Sequence, residues 1–373
     1  MSTYPVGHQQ SDGFGWKVFA VIAGFLIPFV IGIGAWLAIS AHDASNSAAK
    51  AAAAAPATPA APAIGTVATP SFAGIAPTDA ADIAMKHAAF PATLPAAPAG
   101  PVAHVNLGIN DRVVTIAPGI KYRAWTFGTT APGPVIHVRV GQRVDVTMTN
   151  NGSMPHSIDF HAAQIAPNLA FSDINPGESK TFSWVASVPG AYMYHCGTAP
   201  AFEHIANGMY GAIIVEPKNM PPADKEYVLV SSEWYLNAPG NTAPANLDVT
   251  KAEQMTPDWV TWNGYAAQYK THPLTADPGD TVRFWVVDGG PSLNTDFHVV
   301  GTVLQRAWIN ADLIDAPQHG IQTAMVPAGG GGVFDVTIDK PGIYPFVSHS
   351  FASVMLGEVG LLNVGNVDGT MNH

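Results

Sequence analysis

The chain is predicted to be all-β: two tandem Greek-key β-sandwiches, preceded by one transmembrane helix and an Ala/Pro-rich linker. Three observations carry this prediction. From His104 onward, short runs rich in Val, Ile, Thr, Tyr and Phe alternate with Gly and Pro turns, as in VIHVRV, RVDVTMTN, AYMYHC, TVRFWVVD and GVFDVTI. The pattern also repeats. VGQRVDVTMTNNGSMPHSIDFH, ending at His161, is echoed by PGDTVRFWVVDGGPSLNTDFH, ending at His298, and PGAYMYHC by PGIYPFVSHS. Finally, an uninterrupted apolar stretch lies near the N-terminus.

Taken in order, residues 1–17 form an N-terminal tail and residues 18–40 the membrane segment. Val18 to Ile39 carries no charge, and as a helix at about 1.5 Å per residue it spans about 33 Å, enough for a bilayer core. Its apolar run exceeds the usual core of a cleaved signal peptide, so an uncleaved anchor is expected. The C-terminal bulk of the chain is then expected on the periplasmic or extracellular side. Residues 41–103 read as an Ala/Pro-rich tether, with a short helix near Asp79 to His87. The two sandwiches follow at 104–218 and 219–373.

Composition narrows the chemistry. Charged residues make up only 12% of the 373, and the net charge is −11, which argues against nucleic acid as a partner. The single cysteine, Cys196, excludes disulfides within the chain, Cys-rich zinc sites and iron–sulfur clusters. Against it stand 14 histidines, which point to imidazole-based metal chemistry.

Four residues of the first sandwich form the donor set of a blue-copper site: His156, Cys196, His204 and Met209. Taken singly, a lone Cys or Met is more often core filler. Their order, with three of them on the one loop CGTAPAFEHIANGM, favours the ligand reading. His195 directly precedes Cys196. Neighbouring side chains on a strand point to opposite faces, so these two can serve two different metals joined by a short covalent path. His161 and His195 would supply two imidazoles to the second metal. His349, the echo of His195, is available as a third, and Ser350 stands where the second sandwich would carry a cysteine. Whether His349 meets the others within a chain or across a subunit boundary is open at this level.

The motifs MPHSIDFHAA, YMYHC, EHIANGMYG, DFHVVG and VSHS, in this order, resemble the copper-containing nitrite reductases, a family of two cupredoxin domains. The resemblance implies type 1 copper on His156, Cys196, His204 and Met209, and type 2 copper on His161, His195 and His349. It implies catalytic roles for Asp159 and His298. Val300 matches a bulky aliphatic residue over the copper, and Thr323 a residue that hydrogen-bonds the catalytic histidine. It also implies homotrimers with type 2 copper at the subunit interface, and reduction of nitrite to nitric oxide. Asp159 and His298 would deliver the protons and titrate as a coupled pair, giving a bell-shaped pH profile. The electron would come from a donor such as a small cupredoxin or a cytochrome c.

Two departures stand out. The loop from Cys196 to His204 is about one residue shorter than in the best-known members, and the anchor and tether lie outside the minimal family pattern. Two rivals are weighed. A two-domain multicopper oxidase would need His-X-His pairs, and none occurs in this sequence. A membrane-tethered blue-copper carrier would have no use for His161, His195, His298 and His349. The other histidines read as surface or structural.

Overall fold

The computed structural model describes residues 70–369. The membrane segment expected at residues 18–40, the tail before it and the first part of the tether lie outside the described residues. No helix among the described residues is long and apolar enough to cross a membrane.

The first sandwich comprises β1 (Val102–Ala117), β2 (Ile120–Phe127), β3 (Ile136–Arg139), β4 (Arg143–Asn150), β5 (Asp159–Phe160), β6 (Ser179–Val185), β7 (Gly190–His195) and β8 (Tyr210–Glu216). These strands form two sheets, ordered β2-β1-β4-β6 and β3-β8-β7-β5. Strand β4 shows the cause: Val144, Val146 and Met148 alternate inward while Arg143, Asp145 and Thr147 face out. A period of two on a half-buried sheet fixes both register and facing. Val138, Phe160, Tyr194, Ile213 and Val215 complete this core.

The second sandwich begins with β9 (Lys225–Trp234), β10 (Trp259–Trp262), β11 (Leu274–Ala276), β12 (Thr281–Asp288) and β13 (Thr295–Val299). It continues with β14 (Arg306–Trp308), β15 (Ala324–Val326), β16 (Gly331–Thr337), β17 (Gly342–Ser348) and β18 (Val359–Val364). Its sheets run β10-β9-β12-β16-β14 and β11-β18-β17-β13-β15. Strand β12 is buried on both faces. Phe284 and Val286 enter the second core, with Phe297, Phe334 and Phe346. Trp285 and Val287 face the other way, into an apolar seam with Ala191, Met193, Tyr210 and Ile214 of the first sandwich. The two sandwiches touch closely there: a Cβ on Gly331 would come 2.1 Å from the Ala191 carbonyl oxygen, so only glycine fits.

The tether reading needs correction from residue 70 onward, because residues 70–101 pack against the body instead of hanging free. Helix α1 (Ala80–Lys86) is followed by His87, stacked at 3.8 Å on the Tyr265 ring. Strand β10 pairs only with Ser231–Trp234, which leaves the outer edge of the N-terminal half of β9 uncovered. The incoming chain takes that edge: Leu94 N–H donates to Glu226 O at 3.0 Å and Val228 N–H to Ala92 O at 2.7 Å. The Ala/Pro composition masked the few groups that anchor it, among them Phe90, whose N–H reaches Gln268 Oε1 at 2.8 Å.

Candidate metal centres

The first centre lies at one end of the first sandwich. His156 follows the loop after β4, Cys196 directly follows β7, His204 sits in helix α2 (Ala201–Ala206), and Met209 directly precedes β8. All four are 0–1% exposed. His156 Nδ1 and His204 Nδ1 are 3.1 Å apart, and Cys196 Sγ lies 3.3 Å from His204 Nδ1 and 3.9 Å from His156 Nδ1. Met209 is tied to two of the others through its backbone: Cys196 N–H donates to Met209 O at 3.1 Å, and Met209 N–H to His204 O at 3.1 Å. Ser157 N–H points at the sulfur from 3.4 Å.

Burial, aided by the charge of His204, pushes the His156 imidazole down to about 4, and burial also lowers His204. Both rings are therefore neutral at ordinary pH. Their Nε2 atoms are buried without a hydrogen-bond partner, and their Nδ1 atoms converge on the sulfur. Two nitrogen donors and a sulfur gathered out of water, with Met209 buried in the same core and tied to them through its backbone, fit copper of the blue type.

The second centre occupies the opposite face of the same strands. Asp159 pairs in register with His195, and the donor atoms of Asp159, His161 and His195 all lie within 4.8 Å of one another. His195 Nδ1 faces Cys196 O at 2.9 Å and His161 Nδ1 faces Gly329 O at 3.0 Å. A carbonyl accepts only, so each Nδ1 carries the proton and each Nε2 presents a lone pair. Those two Nε2 atoms face each other at 3.0 Å. Opposed lone pairs at that distance fit a cation bound between the rings. Burial lowers the pKa of His195, and the nearby His161 adds to this, which favours the neutral, ligating form.

The remaining predicted residues gather elsewhere, on the second sandwich. The His298 and His349 rings lie 5.4 Å apart. His349 directly follows β17, is exposed, and does not join the cluster of Asp159, His161 and His195 within the chain. Among the described residues, no hydrogen bond occupies its ring nitrogens. Val300 follows β13 and is 38% exposed. His298 Nδ1 is held by the Gln322 carbonyl at 2.5 Å, so the hydrogen bond expected from Thr323 comes instead from the residue before it.

Sequence reasoning passed over several contributors. Trp125 in β2 lies against both blue-site imidazoles, at 4.9 Å from the His204 ring and 5.5 Å from that of His156. The carbonyls of Gly329 and Gln322 orient histidines far from them in sequence. None of these has a local signature. The other described histidines are surface or structural: His137 Nδ1 faces Pro95 O, His272 Nε2 faces Ala84 O and His319 Nδ1 faces Gln305 O.

With this geometry established, comparison with known proteins is informative. Residues 109–220 match a family model described as multicopper oxidase. A copper-containing nitrite reductase of Neisseria meningitidis serogroup B is 38% identical over 263 residues, covering 68% of this chain and 66% of that protein. The copper nitrite reductase structure from Nitrosomonas europaea matches with a TM-score of 0.65 at 32% identity, covering 73% of this chain and 98% of that one. A crystal structure of a multicopper oxidase matches with a TM-score of 0.62 at 26% identity, covering 71% and 89%. Two sandwiches, a buried Cys/His/His/Met set and an adjoining pair of opposed imidazoles thus coincide with substantial identity across both domains, and the chain belongs to the copper-containing nitrite reductase family.

Proposed function

We propose that the protein reduces nitrite to nitric oxide, consuming one electron and two protons per nitrite and releasing water. The observation that carries this is the His195–Cys196 peptide link. It joins a buried cysteine-containing centre to an imidazole pair in which His161 is exposed and His195 half-buried, through one covalent step, as an electron-fed reductase requires. The absence of any His-X-His pair sets the oxidase relatives apart.

His156, Cys196, His204 and Met209 would hold type 1 copper, and His161, His195 and His349 type 2 copper. When bound, the metal pair supplies one-electron transfer and an open coordination position for nitrite. The chain's own residues supply the rest. Burial keeps the first donor set away from water and fixed in shape. The carboxyl group of Asp159 stands among the second set. Once protonated from solvent, it donates a hydrogen bond to a substrate oxygen and then its proton, leaving the carboxylate to be reprotonated. His298 has its Nδ1 tied to Gln322 O, which aims Nε2 outward as the second proton donor. Val300 and Thr323 would shape the pocket.

His349 is exposed and apart from His161 and His195, which supports completion of the site by a second copy of the chain, as in a homotrimer. A groove beside the first centre, lined by Arg112, Arg123, Trp125, Glu203 and Asn207, gives a donor such as a cupredoxin or a cytochrome c access to it. We also assign membrane anchoring through residues 18–40, with the sandwiches on the periplasmic or extracellular side. The test is copper-loaded protein with a reduced dye and nitrite, monitored for nitric oxide, with electron paramagnetic resonance on the same sample. Two distinct cupric signals and nitric oxide release are expected. One signal and no release would leave only an electron carrier. Protease accessibility in intact cells tests the anchoring.

A further inference from the structure

His349 has a structural weakness as a ligand. The last ladder pair between β13 and β17 is Phe297 with Ser348, so His349 lies one residue beyond the sheet. It is exposed, and the short helix α3 (Phe351–Met355) starts two residues later. A strand end of this kind frays unless something grips it.

Asp296 makes that grip. Its N–H donates to Ser348 Oγ at 3.0 Å, its carbonyl accepts from His349 N–H at 2.6 Å, and its carboxylate Oδ2 accepts from Ser350 Oγ at 2.8 Å. One residue thereby holds three successive residues centred on His349. Its side chain contributes the only one of these bonds that reaches past the histidine. The anchor itself is firm, because the next residue, Phe297, is fully buried in the second core.

The first sandwich sharpens the point. There the corresponding aspartate, Asp159, stands opposite His195, and Cys196 follows that histidine. Its carboxylate is gathered with the imidazoles. In the second sandwich the same two positions hold Asp296 and Ser350, and the carboxylate is bound to the hydroxyl instead. We propose that Asp296, acting through Ser350, is a positioning residue that fixes the His349 imidazole for the metal site.

This rests on the reading of His349 as a ligand, so the experiment separates the two. Copper binding to the full-length protein would be titrated in wild type, His349→Ala, Asp296→Ala, Asp296→Asn and Ser350→Ala, following the type 1 visible band, the type 2 paramagnetic signal and the melting temperature. His349→Ala should lose the type 2 signal. Asp296→Ala and Ser350→Ala should each weaken type 2 copper binding about 10–100-fold, the usual effect of losing a group that orients a ligand. They should alter the type 2 hyperfine pattern and leave the type 1 band unchanged. Asp296→Asn keeps an acceptor for the Ser350 hydroxyl and should restore most of the affinity. Ser350→Ala removes one exposed hydroxyl, so its result stands even if Asp296→Ala fails to fold. Wild-type type 2 affinity and spectrum in Ser350→Ala, with or without a lower melting temperature, would overturn the clamp while His349 stays a ligand. Retention of type 2 copper by His349→Ala would overturn both.

Discussion

The two sandwiches share one backbone plan and use it oppositely. In the first, Gly208 at φ +110° leads into Met209, whose N–H bonds His204 O at 3.1 Å. In the second, Gly357 at φ +116° leads into Glu358, whose N–H bonds Ser353 O at 2.9 Å. Ser350, Ser353 and Glu358 therefore stand where Cys196, His204 and Met209 stand. The loop that carries His156 is braced by Asn150, whose Oδ1 accepts from Gly152 N–H and whose Nδ2 donates to Met154 O and Ile174 O. Its counterpart is braced by acids. Asp288 accepts from Gly290 and Thr295 N–H, and Glu233 accepts from Ser292 and Leu293 N–H and from the Tyr235 hydroxyl. The lesson is that a metal pocket of this fold is a property of four or five side chains. Without the soft donors, the same cavity is filled by hydroxyls and a carboxylate, with Ser231 Oγ donating to Glu358 Oε1 at 2.6 Å.

The sharpest way to break this contrast is to make the first pocket resemble the second. Cys196→Ser removes the one thiolate and should abolish both the intense visible band and turnover with a protein donor, while the type 2 paramagnetic signal persists. Retained visible absorption would show that Cys196 is not the blue-site ligand.

Asp159 and Asp296 occupy matching positions, and only Asp159 is placed in the chemistry. Asp159→Asn should keep both coppers and slow turnover about 10²–10⁴-fold, the usual range for loss of a general acid–base group. Nitric oxide production at the wild-type rate, measured under saturating nitrite, would remove it from the mechanism.

The buried acid of the second pocket predicts a pH effect opposite in sign to that of the first pocket's buried imidazoles, which lose stability as pH falls. Burial pushes Glu358 up to about 7, reinforced by the charge of Glu233. Below the ordinary glutamate value of 4.5, both the folded and the unfolded chain hold this proton. As pH rises towards 7, the unfolded chain releases it and the folded one does not, so stability is lost across that window. The loss reaches at most about 3 kcal/mol. Glu358→Gln should lack this component, giving a smaller decrease in urea midpoint between pH 5 and pH 7.5 than wild type. Parallel decreases would place the titrating group elsewhere, Asp288 being the other strongly raised acid beside it.

The smallest effect concerns Trp125, which lies over both blue-site rings. Trp125→Leu should cost about 0.5–1.5 kcal/mol in ring packing. It should also change the rate at which a protein donor reduces the type 1 centre more than the rate with a small dye. Stopped-flow reduction with both reductants distinguishes the two.

Much of the site was legible along the chain because its geometry is local. Alternation on a strand sends Cys196 into the core and His195 outward, so two adjacent letters already specify two centres. The loop from Cys196 to Met209 returns three donors to one strand end. The packing of residues 70–101 was hidden, because its hold on β9 is made by backbone groups and a few anchors within a bland composition.

The sequence by itself determined the sandwich repeat, the donor types and their order, since periodicity and side-chain chemistry are written residue by residue. Only the tertiary structure decided which ring nitrogens face one another, and that Gly329 and Gln322 fix two imidazoles. It alone showed Asp296 gripping the His349 segment and Trp125 lying over the blue site. These are contacts between segments distant in the chain, set by how the sheets pack, and no local pattern of residues encodes them.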